Sequence, residues 1–162
     1  MTINVKHILL VDDNANDIEL TLLAFAERRL ANQVVVARDG AEALDYLHHR
    51  GRFENRDGGN PAVVLLDHMM PKVDGLSVLR EVRSDPDLKL TPIVLLTSSD
   101  NVSDVVQAYN LGVNAYVVKP VNFVEFVDAI RKVGFFWGII NVAPPLPAAR
   151  TRSRSGPGGI ET

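Results

Sequence analysis

Asp12 and Asp13, Asp67, Thr97 and Lys119 each follow the end of a short apolar run. The runs are Ile8–Val11, Val63–Leu66, Ile93–Leu96 and Val117–Val118. Parallel strands ending this way bring their last residues to one sheet edge, where open α/β sheets bind ligands. Three carboxylates crowded there repel one another, and a divalent cation would relieve them. Oxygen donors in a chain without cysteine favour a hard ion, Mg²⁺. Mg²⁺ beside a positioned carboxylate suits phosphoryl transfer, with the metal stabilising charge and an Asp as nucleophile. A Lys ammonium would add a second cation for phosphoryl oxygens, and a Thr hydroxyl a hydrogen bond to one of them. Asp12 and Asp13 also lead into a helix, whose positive end favours anions.

Elements able to hold these residues alternate along the chain. Lys6–Val11, Gln33–Ala37, Ala62–Leu66, Pro92–Leu96 and Ala115–Val118 read as strands. Between them lie helical patterns. Ile18, Thr21, Leu22 and Phe25 share one face of a helix expected from Asn14 to about Leu30. Asp39 and Glu42 form a capping box before a second helix. Leu76, Leu79 and Val82 mark a third, which ends before Asp85-Pro86. A fourth runs from Val102 to Leu111 and closes at Gly112. Asn122 and Glu125 cap the last, whose apolar face holds Phe123, Phe126, Val127, Ile130 and Val133. His48–Asn60 reads as a long surface loop. Unbroken Val/Leu/Ile strands between helices predict an α/β fold with a five-stranded parallel sheet covered on both faces.

Composition narrows the class. The 162 residues suit one compact domain plus a tail, and the net charge of −3 gives no reason to expect nucleic acid or membrane as the main partner. The absence of cysteine excludes disulfides and thiolate chemistry. No signal-peptide pattern precedes Ile8, and no apolar stretch approaches the roughly 18 residues that span a bilayer, so a cytoplasmic protein is expected. From Ala143 onward Pro, Arg, Ser and Gly dominate, which predicts a flexible tail over 143–162. A weak electrostatic contact of that tail with membrane or nucleic acid is the alternative. Without it the chain carries 14 basic against 19 acidic side chains.

Four stretches, "ILLVDDNANDIEL", "VVLLDHMMPKVDGLSVLREVR", "PIVLLTSSD" and "AYVVKP", resemble bacterial response-regulator receiver domains, in order, across roughly Lys6 to Val133. The resemblance implies a doubly wound, flavodoxin-like (βα)5 domain over residues 1–142, extension included, that takes a phosphoryl group from a histidine kinase. Asp67 would be the acceptor. Asp13, Asp67 and the Met69 backbone carbonyl would bind Mg²⁺, with Asp12 acting mainly through water. Lys119 would pair with the phosphoryl group or with Asp67, and Thr97 would move onto phosphoryl oxygens. Pro120 would follow a cis peptide that aims Lys119. Tyr116 would be the switch aromatic that follows Thr97 inward, although a structural Tyr also fits that position. Such a protein switches conformation; its only catalysis is of its own phosphorylation and dephosphorylation.

The glycine-containing loop and the extension "RKVGFFWGIINVAPP" further resemble single-domain regulators paired with bacterial phytochrome kinases. The signal would leave by protein contact or phosphorelay. His68 and Met69 depart from the commonest pattern, and Ser99 stands two residues after Thr97. A thioether at Met69 orients water poorly, which predicts slow self-dephosphorylation. His68 is expected to be exposed and without chemistry of its own, and His48 and His49 to be solvated. An aspartyl-phosphate phosphatase is disfavoured because Met69 stands where its second acid belongs. A phosphorylation-independent interaction module is disfavoured because all five site residues are present. Phe135, Phe136, Trp137, Ile139 and Ile140 exceed what the last helix can bury, which predicts a homodimer through that helix and its extension. Folding of the extension onto its own domain is the alternative.

Overall fold

The computed structural model describes residues 7–26 and 34–145. Five strands, β1 (Ile8–Val11), β2 (Val34–Ala37), β3 (Val63–Leu66), β4 (Ile93–Thr97) and β5 (Ala115–Val118), form one sheet in the order β2-β1-β3-β4-β5. All four neighbouring pairs are parallel. Five helices alternate with them: α1 (Ala15–Ala26), α2 (Gly40–Leu47), α3 (Gly75–Ser84), α4 (Val102–Asn110) and α5 (Phe123–Phe135). This is the expected doubly wound (βα)5 fold. The expected ends of the first two strands and the first helix at Lys6, 27–30 and Gln33 lie outside the described residues, as does the expected tail from 146 on.

Alternate side chains of each strand feed two cores. Leu9, Val11, Val64, Leu66, Ile93 and Leu95 pack against α2, α3 and Ala108 of α4. Ile8, Leu10, Val63, Leu65, Val94 and Leu96 pack against Ile18 and Phe25 of α1 and Phe126 and Ile130 of α5. Burial of one such side chain is worth about 1.5–3 kcal/mol, so the three central strands are the stable platform for whatever their ends carry. α4 is the exception among the helices, because only Ala108 is buried in it.

Local rules set the helix ends. Asp39 accepts the Glu42 N–H at 2.7 Å, as a capping box requires. The return bond differs: Glu42 Oε2 accepts from Arg38 N–H at 3.3 Å rather than from Asp39, because Glu42 also pairs with Arg52 of the following loop. Asn122 accepts from Val124 and Glu125, as expected. Gly112 closes α4 at φ 94°, a left-handed conformation that glycine adopts without penalty.

Several expectations are corrected. The long loop contains a 3-10 turn at Gly51–Phe53, and Arg56 stacks 3.9 Å over the Tyr46 ring while donating to the Tyr46 carbonyl. His48 is not solvated; it lies between Glu81 (3.3 Å) and Asp85 (3.7 Å) of the α3 end. His49 is exposed, as expected. The Lys119–Pro120 peptide is trans. Trans is the intrinsically favoured form, by about 0.5–1 kcal/mol before proline.

After α5 the chain continues as one wide, π-type turn, Phe136–Ile140. Gly138 is buried near Ile8 and Trp137 packs on the α1/α5 core. Phe136, Ile139 and Ile140 point outward at 46%, 50% and 54% exposure. The extension therefore divides into one side folded onto its own domain and one apolar side facing solvent. Among the described residues no helix is long and apolar enough to cross a membrane.

Candidate functional site

The C-terminal ends of β1, β3, β4 and β5 meet in a cleft of about 340 Å³. Asp13, Asn14, Asp17, Asp67, Met69, Ser98, Lys119, Pro120, Val121 and Phe126 line it. The strand registers place Val11 beside Leu66 and Leu96 beside Val117, so the residues that follow them converge. One carboxylate oxygen from each of Asp12, Asp13 and Asp67 lies within 4.8 Å of the others. An all-oxygen, triply acidic cluster of this size matches the needs of a hard divalent ion such as Mg²⁺.

Each acid is held differently. Asp12 is buried; its Oδ1 accepts the Asn14 N–H at 2.9 Å and its Oδ2 faces Lys119. Asn14, not an aspartate, caps α1, since its Oδ1 accepts the Asp17 N–H at 3.1 Å. Asp13 is exposed on the rim. Asp67 is only 9% exposed and is pushed up from 3.8 to about 6. Burial is the main cause. Lys119 and the Met69 N–H work against it, whereas Asp12 and Asp13 add to it. A carboxylate whose charge is this costly gains much from a bound cation.

Lys119 enters from the end of β5, where its N–H donates to the Thr97 carbonyl at 2.7 Å. Its Nζ donates to Asp12 Oδ2 at 2.8 Å and to Asp17 Oδ2 at 2.9 Å, and stands 3.6 Å from Asp67 Oδ2. Burial alone would lower the Lys119 pKa, but Asp12 first, then Asp67 and Asp17, hold it above the usual lysine range. The expected pairing with Asp67 is thus the longest of three contacts. Asp17 belongs to the site and was not anticipated.

Thr97 is fully buried, and its Oγ1 accepts the Ser99 N–H at 3.2 Å. Tyr116, half-buried, donates its hydroxyl to the Ser99 carbonyl at 2.8 Å. Ser99 Oγ in turn donates to Asp104 Oδ2 in the first turn of α4 at 2.7 Å. Ser99 therefore links the Thr, the Tyr and α4. Met69 is 68% exposed at the cleft mouth. His68 is buried, contrary to expectation, because the turn after β3 folds beneath α3. Gly75 permits that approach: its N–H donates to the His68 carbonyl at 2.9 Å, and a Cβ there would run into the Asp67 carbonyl oxygen.

The family model for the response regulator receiver domain matches residues 8–131. The chain belongs to the response-regulator receiver family. The response regulator Rcp1 of Synechocystis is 36% identical over 132 residues, covering 82% of this chain and 88% of that protein. A solved structure of Rcp1 in its Mn²⁺-bound form has a TM-score of 0.78 at 34% identity, covering 86% of this chain and 99% of that one. The phosphorylated cyanobacterial phytochrome response regulator RcpA has a TM-score of 0.80 at 38% identity, with coverage of 86% and 99%. The bacteriophytochrome response regulator RtBRR is 57% identical with a TM-score of 0.69, covering 87% of this chain and 85% of that one. The protein is a receiver-type response regulator, a phosphorylation-dependent signalling switch. Receivers take their signal from histidine kinases and bind Mg²⁺ or Mn²⁺ at an acidic pocket, with which the Asp12, Asp13 and Asp67 cluster agrees.

Proposed function

We propose that this receiver is phosphorylated on Asp67 by a phytochrome-type histidine kinase in a Mg²⁺-dependent reaction. An Asp67 oxygen attacks phosphorus as the P–N bond of the donor phosphohistidine breaks, and the departing imidazole nitrogen takes a proton. Asp13, Asp67 and the Met69 carbonyl would hold Mg²⁺, with Asp12 acting through water. The ion would neutralise the crowded carboxylates and the charge on the transferring group. Lys119 would pair with the phosphoryl oxygens. Thr97 would leave Ser99 for one of those oxygens, and Tyr116, bonded to the same Ser99, would follow it. The protein catalyses only its own phosphorylation and dephosphorylation.

The observation that carries this reading is the meeting of three carboxylates within 4.8 Å with the Lys119 ammonium 3.6 Å from the acceptor. The phytochrome partner is supported by the names of RcpA and RtBRR. We also assign residues 1–142 to the receiver and its extension and 143–162 to a segment beyond it, with a cytoplasmic location and a homodimer through α5 and the extension. The signal leaves by protein contact or phosphorelay.

Incubation with Mg²⁺ and acetyl phosphate tests the central step. Intact mass should rise by one phosphoryl group, and Asp67→Asn or EDTA should abolish the gain. Labelling that persists in the variant would move the acceptor elsewhere. No labelling of the wild type by acetyl phosphate or by a phosphorylated kinase would favour an inert interaction module.

A further inference from the structure

We propose that Asp17 is a positioning residue that withdraws Lys119 from the acceptor in the unphosphorylated protein and releases it when Asp67 gains a phosphoryl group. This rests on the acceptor reading above and adds a residue to it. The contacts of one ammonium carry the inference. Lys119 Nζ is within hydrogen-bonding distance of Asp12 and Asp17 at 2.8 and 2.9 Å, but not of Asp67 at 3.6 Å. It is a buried cation, its side chain 10% accessible, held by two carboxylates neither of which is the acceptor.

Burial decides which partner yields. The Asp12 side chain is 6% accessible and takes the Asn14 N–H with its other oxygen, so losing the ammonium would leave a largely buried charge poorly compensated. Asp17 is 26% accessible at the cleft rim, where water can solvate its carboxylate after the ammonium leaves. Its backbone is already fixed: its N–H meets Asn14 Oδ1 and its carbonyl accepts the Thr21 hydroxyl at 2.7 Å. Only the side chain needs to change partner. Phosphorylation replaces the single carboxylate charge of Asp67 with nearly two negative charges on phosphoryl oxygens beside Lys119, which outcompete the single charge of Asp17. Asp17 thus opposes activation, and its strength sets how much the phosphoryl group must contribute.

Beryllium fluoride with Mg²⁺, a stable mimic of the aspartyl phosphate, gives the test. Half-saturation should fall at least threefold in Asp17→Asn and stay near the wild-type value in Asp17→Glu. Glu19→Gln, which removes a charge from the exposed side of α1, should not change it. Affinity for Mg²⁺ alone should change less than threefold in Asp17→Asn. Asp17→Ser serves if Asp17→Asn does not fold. Unchanged or weaker binding in Asp17→Asn, an equal gain in Glu19→Gln, or a tenfold loss of Mg²⁺ affinity would overturn the proposal. The first removes the brake, the second makes it general charge, and the third makes Asp17 a metal ligand. Wild type that binds no beryllium fluoride, or Asp67→Asn that binds it equally well, would instead overturn the acceptor reading.

Discussion

The Tyr116 hydroxyl lies 2.8 Å from the Ser99 carbonyl oxygen, on a residue whose N–H is bonded to Thr97 Oγ1. One peptide segment therefore carries the contacts of both Thr97 and Tyr116, and α4 is tied to it through Asp104. Because α4 buries only Ala108, its first turn is held chiefly by this link, while Arg83 anchors its C-terminal end. Tyr116→Phe should cost about 1 kcal/mol in urea unfolding, the net value of a partly accessible hydrogen bond. It should still bind beryllium fluoride, but hydrogen exchange in 99–105 should no longer change on binding. An unaltered exchange response in Tyr116→Phe would make the Tyr structural.

The acceptor carries an electrostatic cost with a defined pH window. Asp67 ionises near 6 in the fold against 3.8 when unfolded. Below pH 3.8 both states are protonated and the cost is absent. Between about 4 and 6 the unfolded chain loses its proton first, so metal-free stability falls as pH rises. Above 6 the full penalty is present, on the order of 3 kcal/mol. Asp67→Asn should therefore stabilise the protein in EDTA at pH 7.5 by up to about that amount, and hardly at all near pH 4. Mg²⁺ should narrow the gap by stabilising the wild type. Urea midpoints at the two pH values decide; a variant less stable than wild type at pH 7.5 would contradict the sign.

Gly75 tests how tightly the acceptor loop is held. Its missing Cβ makes room for the Asp67 carbonyl, and His68 Cα would lie 2.9 Å from an added methyl. Both neighbours are backbone, so neither can rotate away. Gly75→Ala should cost about 1–3 kcal/mol and slow phosphorylation by displacing Asp67. Wild-type stability and labelling rate together in that variant would show the loop to be looser than its contacts imply.

Much of this was legible in the chain. Apolar runs ending in Asp, Thr or Lys mark strand ends, and parallel pairing brings strand ends to one edge, so Asp12, Asp13, Asp67, Thr97 and Lys119 could be found without coordinates. Contacts made by side-chain reach across elements could not. Asp17 reads as an ordinary acid in the first turn of a helix, and only the packing of α1 beside the β5 end turns it toward Lys119. Arg83 likewise looks like a surface cation at the end of α3. Its guanidinium bonds Gly112, Lys89, Thr91 and Asn114, fixing the C-terminal end of α4 to the β4 entry. His68 was misplaced because nothing in its neighbours announces how closely Gly75 brings α3.

The extension predicts an oligomer. Ile139, Ile140 and Val142 are 50%, 54% and 88% exposed, and Phe123 and Val124 at the α5 start are 60% and 71% exposed. Exposed apolar side chains grouped along one helix and its extension are what a homodimer interface would cover. Light scattering should find a dimer at tens of micromolar. Ile139→Glu with Ile140→Glu should give a folded monomer, since Trp137 and Gly138 make the contacts with the domain itself. A wild type that stays monomeric at high micromolar concentration would refute the dimer.

Met69 is expected to lengthen the life of the signal. Its side chain is 68% exposed and lines the same cleft as Asp67, the open side from which water would approach an aspartyl phosphate. A thioether is a weak acceptor and no donor, so it cannot orient that water. The phosphorylated wild type should therefore persist for minutes or longer after the donor is removed. Met69→Asn places an amide with two donors and an acceptor at the same rim and should shorten the half-life several-fold. Because the side chain stands outside the core, the substitution should leave the unfolding midpoint within about 0.5 kcal/mol of wild type, and changed folding cannot account for a faster reset. Phosphate release from the purified, labelled protein gives both half-lives. A wild-type half-life of seconds, or equal values in the two proteins, would place control of hydrolysis at another residue.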